Sequence, residues 1–167
     1  KKAQAFTFLE KHVQAHSNDI PSAMLLAERQ IGKDRAAAIK TYEQVLTKTP
    51  DNFVVLNNLA YLAFEDKNLT RAEELAKKAV SLQRENADAV DTLAQIYVAK
   101  GDKAAALKLY EEVSARPIAN DDVYLNHVSV LLELDKKALA SRKLASREFK
   151  SEAAKQRAES LKQQYGL

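Results

Sequence analysis

The sequence predicts an all-α protein in which short helices pair and the pairs stack on one another. Glycine and proline number three each in 167 residues, whereas Ala, Leu, Lys, Glu and Gln, which favour helices, are abundant. No segment shows the strict alternation of apolar and polar residues that is typical of a long strand. Small and apolar residues also recur every 34 residues, and an internal period of this length is typical of helical repeat proteins.

The 34-residue period divides the chain into four blocks, which begin at Asp19, Phe53, Ala87 and Asp121. The twentieth residue of every block is alanine: Ala38, Ala72, Ala106 and Ala140. The seventh and eighth positions hold the pairs Leu25-Leu26, Leu59-Ala60, Leu93-Ala94 and His127-Val128. Polar turns separate the two halves of each block; in the first two blocks they are "IGKD" and "EDKN". We therefore expect helix–turn–helix units that approach through small side chains, with no gap in register from one block to the next.

This pattern resembles the tetratricopeptide repeat (TPR) family, whose 34-residue helix–turn–helix carries small residues at the eighth and twentieth positions. The stretch "VDTLAQIYVAKGDKAAALKLYEEV", residues 90–113, carries the resemblance most clearly. The resemblance implies an α-α superhelix, a TPR solenoid of about four repeats, because each helix pair buries its apolar face only against the next pair. The implied repeats span residues 19–52, 53–86, 87–120 and, in degenerate form, 121–148.

Two further helices are expected beside these blocks. Residues 1–18 resemble the second helix of a preceding partial repeat, with Phe6, Leu9 and Val13 on one stripe. Residues 149–167 form a capping helix whose stripe consists of Ala154, Ala158, Leu161 and Tyr165. The chain begins with lysine and not methionine, so we expect it to be a piece of a longer array, whose compartment its first residues do not reveal.

The sequence contains no recognisable catalytic or metal-binding motif. It has no G-x-S-x-G turn, no glycine-rich phosphate loop and no cysteine. His12 and His16 have the four-residue spacing of two metal ligands, but no third ligand can be named, so we expect a solvated helix face. We expect His127 to be a hydrogen-bonded, partly buried histidine at a repeat interface; a catalytic histidine is the alternative. The sequence therefore predicts neither an enzyme, nor a cofactor, nor a metal site.

The resemblance assigns partner binding to the concave face that the first helices form. The second, fifth, ninth and twelfth positions of the blocks line this face in the family. They correspond here to ten residues of the last three blocks: Val54, Asn57, Tyr61, Phe64, Asp88, Asp91, Gln95, Asp122, Leu125 and Ser129. Tyr61 and Phe64 would serve as apolar anchors for a partner; the alternative is that this pair packs against the next first helix. The aspartates favour a partner with positive charge or exposed donors. Since the basic residues of the chaperone-binding subclass are missing, a chaperone-tail adaptor is not expected.

The sequence also resembles the repeat lipoproteins of bacterial exopolysaccharide (PEP-CTERM) systems, through "NNLAY", "ELAKKAV" and "DTLA". This resemblance implies a non-catalytic protein–protein interaction scaffold that binds a protein or peptide in the bacterial periplasm or cell envelope; the cytoplasm is the alternative. A small-molecule substrate is not expected.

Two other functions compete with partner binding. One is a structural array that self-assembles through the ends of its repeats, as a homo-oligomer. The other is polyanion binding by the basic end, where nine Lys and Arg stand against three Asp and Glu from Lys136 onward, although the whole chain carries only +3. The sparse aromatic residues in that segment favour a solvated face over a nucleic-acid site.

Overall fold

The computed structural model describes residues 2–167, and the side chains from residue 4 onward. Within this range the regular structure is entirely α-helical, which confirms the predicted fold class. The helices are α1 (Lys2–Ala15), α2 (Ile20–Ile31), α3 (Arg35–Lys48), α4 (Phe53–Glu65), α5 (Leu69–Leu82), α6 (Ala87–Ala99), α7 (Lys103–Val113), α8 (Asp121–Glu133), α9 (Lys137–Ala145) and α10 (Glu152–Tyr165). Each has 9 to 14 residues, a length at which a helix depends on tertiary packing for its stability.

The helices form two compact units, Lys1–Leu82 and Gln83–Leu167. In the first unit α2 pairs with α3 and α4 pairs with α5, while α1 packs on α2 and α3 packs on α4. In the second unit α6 pairs with α7 and α8 pairs with α9, and α10 packs on α8 and α9. We call α2, α4, α6 and α8 the first helices of their pairs and α3, α5, α7 and α9 the second helices.

Asparagine and aspartate side chains fix where most of these helices begin. Asn52, Asn86 and Asn120, spaced by 34 residues, each accept a hydrogen bond from a backbone N–H in the first turn of α4, α6 or α8. Asp34, Asn68 and Asp102 do the same for α3, α5 and α7. These side chains satisfy donors that would otherwise lack an intrahelical partner. The sequence period is therefore also a period of helix caps.

The repeated alanines lie on the buried sides of the second helices. Ala38, Ala72, Ala106 and Ala140 are all fully buried. Four residues later, the larger side chains of Tyr42, Tyr110 and Leu144 fill the adjoining space. The predicted approach through small side chains is confirmed at these positions, and the tight packing leaves little room for larger residues there.

The first block, however, departs from the register that the 34-residue period predicts. Leu25 was expected in the core, at the same position as Leu59 and Leu93, yet it is 42% exposed. Leu26 and Ala27 are buried in its place, and Ala27 is the fully buried small residue of α2. The seventh and eighth positions of the first block are therefore Leu26 and Ala27, and the prediction of a gapless register is wrong for α2.

The cause is a turn that is one residue shorter. In the later blocks the residue that caps the second helix donates its N–H to a carbonyl five residues earlier, as Asn68 does to Ala63 and Asp102 to Tyr97. Asp34 instead donates to Gln30, four residues earlier. The later turns also contain a residue with left-handed backbone, at Lys67, Gly101 and Asp135, which the first turn lacks. The missing residue shifts the residue numbers of the buried face of α2 by one relative to the 34-residue period. One residue corresponds to about 100° around the helix axis.

The helix α9 begins without a side-chain cap, because Lys136 occupies the position of Asp34, Asn68 and Asp102. Replacing Lys136 with asparagine is expected to stabilise the protein by about 1 kcal/mol, since the amide oxygen can accept an N–H of the first turn. Thermal unfolding followed by circular dichroism should show a rise of about 2–4 °C in the melting temperature. The variant Lys137→Asn, one residue inside the helix, serves as the control. An equal rise in both variants would contradict the capping explanation.

Candidate partner-binding surfaces

An apolar surface lies on α4 in the first unit. Val54 and Tyr61 are 43% and 49% exposed, although α4 otherwise contributes mainly buried residues to its unit. Phe64 is half-buried, and the Lys67 ammonium lies 5.8 Å from the centroid of its ring. The structure thus leaves Val54 and Tyr61, two of the sequence-predicted contact residues, exposed. We call Val54, Asn57, Tyr61 and Phe64 the α4 surface.

Asn57 lies on the same surface but is half-buried. Its side-chain carbonyl oxygen is buried and accepts no hydrogen bond from the described residues. A buried polar atom without a partner costs about 1–3 kcal/mol. This oxygen therefore keeps an unused capacity to accept a hydrogen bond.

In the second unit, two of the three predicted aspartates are exposed. Asp88 of α6 accepts a hydrogen bond from the amide of Asn120 at 2.9 Å. Asp122 of α8 lies 3.6 Å from the guanidinium of Arg157 on α10. Because neither contact shields the carboxylate from water, both groups remain able to attract a basic partner.

Asp91 is different, because it lies at the centre of a polar network. Its carboxylate accepts hydrogen bonds from the Tyr110 hydroxyl at 2.5 Å and from the Asn126 amide at 2.9 and 3.0 Å. Gln95 contributes another hydrogen bond, and Arg157 donates to the Asn126 carbonyl oxygen at 2.5 Å. We call these five residues the Asp91 network. It joins α6, α7, α8 and α10 within one unit.

Burial and hydrogen bonding act in opposite directions on this carboxylate. Burial raises the pKa of Asp91, and the hydrogen bonds from Tyr110 and Asn126 oppose that rise. Burial also raises the pKa of Tyr110, so its hydroxyl stays protonated and acts as the donor. The network therefore connects helices inside the protein, and the Asp91 carboxylate at its centre is hydrogen-bonded on both oxygens.

Several predicted contact residues are used inside the protein. Leu125 is fully buried on α8, on which α10 packs, so it presents no exposed surface to a partner. Asp91 uses both carboxylate oxygens internally and does not act as a free charge selector. Gln95 bonds to Asp91 and not outward. The Ser129 hydroxyl donates to the Leu125 carbonyl oxygen within its own helix.

Sequence reasoning missed Tyr110, Asn126 and Arg157 as partners of Asp91. A signal was present, since a tyrosine is followed sixteen residues later by an asparagine twice, at Tyr42–Asn58 and at Tyr110–Asn126. In the first unit the Asn58 amide donates to the Tyr42 hydroxyl at 2.9 Å. The recurring pair therefore marks contacts between a second helix and the following first helix.

His127 is more deeply buried than the sequence suggested. Its ring stacks on Tyr110 with centroids 5.1 Å apart, and Nδ1 lies 3.2 Å from the Ser114 hydroxyl. Nε2 is buried and has no hydrogen-bond partner among the described residues. Burial, with a smaller contribution from Lys143, lowers the pKa of His127 to about 4. The imidazole is thus neutral at physiological pH, and one of its nitrogens remains unsatisfied.

The other candidate sites are occupied by contacts within the chain. His12 lies 2.8 Å from Asp19, and His16 bonds to the His12 carbonyl oxygen. In the part of the chain that the structure describes, no three His, Cys, Asp or Glu residues are grouped to hold a metal ion. In the basic end, Arg147 bonds to Asp121 and to two carbonyl oxygens of the preceding loop. Arg147, a cation of that segment, therefore contributes to the stability of the fold. No described helix has the length and apolar character needed to cross a membrane.

Comparisons with known proteins agree with this architecture. Residues 63–124 match the tetratricopeptide repeat family, which confirms the resemblance, and no curated protein matches the chain. Among solved structures, the chain is similar to PilF of Pseudomonas aeruginosa, with 19% identity, a TM-score of 0.75, and 98% of this chain and 84% of that chain covered. It is similar to MamA, with 16% identity, a TM-score of 0.72, and coverage of 95% and 90%. YrrB, described as a TPR protein with an unusual peptide-binding site, shows 14% identity, a TM-score of 0.68, and coverage of 82% and 71%. At these identities the similarity shows the fold alone.

Proposed function

We propose that this chain, which has the fold of the tetratricopeptide repeat proteins, is a non-catalytic scaffold. It binds a protein or peptide segment on its first helices. The observation that carries this proposal is the exposed pair Val54 and Tyr61 on α4. Aromatic side chains of this kind supply a large part of the energy at protein interfaces, since they bury much area at a low cost in side-chain entropy.

The chemistry of the partner follows from the groups beside these anchors. A segment that places an apolar side chain against Tyr61 would gain hydrophobic burial, and a donor near Asn57 would satisfy its free carbonyl oxygen. On the second unit, Asp88 and Asp122 favour lysine or arginine in the partner. We therefore propose that the α4 surface binds apolar side chains of a partner and that the second unit, taken by itself, favours basic ones.

Photo-crosslinking from position 61 in native extract, followed by purification of the captured protein, supplies the ligand for a quantitative test. We expect Tyr61→Ala to weaken its binding at least about tenfold, because truncation of an aromatic anchor costs about 2 kcal/mol or more. Isothermal titration calorimetry measures the dissociation constant directly. Circular dichroism should show unchanged helicity, since Tyr61 is half exposed.

A matched control for this experiment is Leu82→Ala. Leu82 is an exposed apolar residue of similar accessibility, but it lies at the end of α5, a second helix. Binding should be unaffected by this change. If Leu82→Ala weakens binding as much as Tyr61→Ala does, the α4 surface is not the binding site.

We also propose a bacterial cell-envelope or periplasmic setting, supported by the sequence resemblance to exopolysaccharide-system repeat lipoproteins. Fractionation of native cells with an antiserum against this chain tests the setting. Recovery in the cytoplasmic fraction would contradict it without affecting the proposal for the α4 surface.

A further inference from the structure

Two second helices of the second unit, α7 and α9, are shorter than those of the first unit, and a cavity lies beside their ends. Helices α3 and α5 have 14 residues each, whereas α7 has 11 and α9 has 9. Pro117 disfavours helical backbone at the residue before it, which favours the early end of α7. The cavity has a volume of about 410 Å³ and is lined by the loop after α7, by residues at the end of α9 and by Tyr124 of α8. All of these residues belong to the interior of the sequence.

Three cations line this cavity, and two of them already have carboxylate partners. Arg147 bonds to Asp121 and to two backbone carbonyl oxygens. Arg116 pairs with Glu85. The third cation is Lys143, and every charged side chain among the described lining residues is one of these three. The cavity therefore carries one positive charge that no carboxylate of the described chain contacts.

Lys143 is half-buried, and within residues 4–167 its ammonium forms no hydrogen bond or ion pair. The ammonium lies 5.2 Å from the centroid of the Tyr124 ring. Burial lowers the pKa of Lys143, and the more distant carboxylate of Glu111 opposes this change. The Lys143 carbonyl oxygen already accepts from the hydroxyls of Tyr124 and Ser146. The three N–H donors of the ammonium are thus available to an anion in the cavity.

A hydroxyl donor lies at the same cavity, because His127 fixes the role of Ser114. The buried imidazole is neutral at physiological pH and carries one proton, on Nδ1 or on Nε2. Nε2 has no partner among the described residues, and a buried N–H without an acceptor is a rarer defect than an unpaired acceptor. The proton is therefore assigned to Nδ1, which donates to the Ser114 oxygen at 3.2 Å. The Ser114 hydroxyl keeps its own proton for an acceptor in the cavity.

The composition of the lining restricts the ligand to a singly charged anion that carries an apolar group. One unbalanced cation matches the charge of a carboxylate, whereas a phosphate dianion would require a second. The two carboxylate oxygens can accept from the ammonium and from the hydroxyl. Ala115, Pro117 and Ile118 supply apolar surface for the hydrocarbon part of the ligand. Apolar walls with a few polar groups are typical of sites for small ligands.

We propose that the cavity beside α7 and α9 is a binding site for an organic carboxylate, held by the Lys143 ammonium and the Ser114 hydroxyl. The carboxylate belongs either to a free organic acid or to an acidic side chain of a protein, and its recognition is the same in both cases. This site is separate from the α4 surface and does not depend on the function proposed above.

Two probes represent these sources: butyrate for the free acid, and the α-N-methylamide of N-acetylglutamate for the side chain. In ¹H–¹⁵N correlation spectra of the intact protein, either probe should shift the amide signals of Ser114 and Lys143 saturably. We expect a dissociation constant in the millimolar range, as is usual for ligands of this size, and the tighter probe identifies the source. Lys143→Gln should weaken binding at least about tenfold, because a hydrogen bond to a charged group contributes this much. Lys143→Arg, which keeps the charge, should retain binding.

A control variant separates this site from general attraction to the basic end of the chain. Arg142→Gln removes an exposed cation from the preceding position of α9, outside the described lining, and should leave the affinity unchanged. If Lys143→Gln does not fold, Lys143→Met gives the same comparison, since it also keeps the aliphatic stem. Absence of saturable shifts with both probes overturns the proposal, as do equal shifts with neutral butyramide or equal losses in Lys143→Gln and Arg142→Gln. Binding of inorganic phosphate at least about tenfold tighter than that of either probe would assign the cavity to a different anion and also overturn it.

Discussion

Replacing Tyr110 with alanine is expected to lower the free energy of unfolding by about 3–5 kcal/mol, the range for removing a buried aromatic side chain. The ring is fully buried between α7 and its neighbours and stacks on His127. Its loss would leave a cavity and would also remove a hydrogen bond from the buried carboxylate of Asp91. Urea unfolding followed by circular dichroism measures the change.

The variant Tyr110→Phe separates packing from hydrogen bonding. It keeps the ring and removes the donor to Asp91, and the expected loss is about 1.5–3 kcal/mol because the acceptor is charged or partly charged. The matched variant is Tyr42→Phe, whose hydroxyl accepts from the neutral amide of Asn58. Its loss should be nearer 1 kcal/mol. An equal loss of unfolding free energy in both phenylalanine variants would show that the hydrogen bond to Asp91 is no stronger than the one between Asn58 and Tyr42.

Acidification from about pH 6.5 to about pH 4 is expected to destabilise the protein by about 3 kcal/mol through His127 alone. The folded state holds this imidazole neutral with a pKa of about 4, whereas the unfolded chain has the ordinary value of 6.5. Since the unfolded state binds a proton first, stability is complete above pH 6.5 and is lost as the pH falls toward 4.

Asp19 and Asp121 act in a lower part of the pH range than His127. The lowered pKa values of Asp19 and Asp121 stabilise the fold above their unfolded values, and this contribution is lost only as the pH falls below about 4. The raised pKa of Asp91 has the opposite sign, because its protonation stabilises the folded state as the pH falls toward the ordinary carboxyl value of 3.8. A loss of stability between pH 6.5 and pH 4.5 therefore reports on His127, because Asp91 acts against it.

The variant His127→Leu tests this assignment, because leucine occupies the corresponding position at Leu59 and Leu93. Its free energy of unfolding should change little between pH 6.5 and pH 4.5, whereas the exposed control His16→Gln should keep the acid sensitivity of the parent protein. An unchanged pH dependence in His127→Leu would show that other groups cause the loss.

The parts of the fold that depend on local pattern were predictable from the sequence. The fully buried alanines at positions 38, 72, 106 and 140 follow from a strict period of small residues, which has few structural explanations besides close helix packing. The turn after α2 was not predictable in this way. With one residue missing from the turn, the residue types at the repeat positions of the first block still look compatible with the 34-residue period. The exposure of Leu25 and the hydrogen bond from Asp34 to Gln30 reveal it.

The candidate site was predictable at Val54 and Tyr61, where an apolar residue on the outer side of a first helix stays exposed. It was not predictable at Asp91 and Leu125, which occupy the same repeat position as Asn57. What happens to each depends on its neighbours in other helices: Tyr110 and Asn126 surround Asp91, and α10 covers α8. A repeat position specifies where a side chain leaves the backbone. Whether that side chain is exposed to solvent depends on the adjoining helices.

The shortened turn after α2 has a consequence for protein engineering. A binding motif grafted from α4 or α6 onto α2 by subtracting whole multiples of 34 from the residue numbers would arrive on the wrong side of the helix. The transplant must instead be counted from the cap at Asp19, which corresponds to Asn52 and Asn86. Counted in this way, Tyr61 transfers to position 28 and Val54 to position 21, and the grafted side chains keep their outward direction.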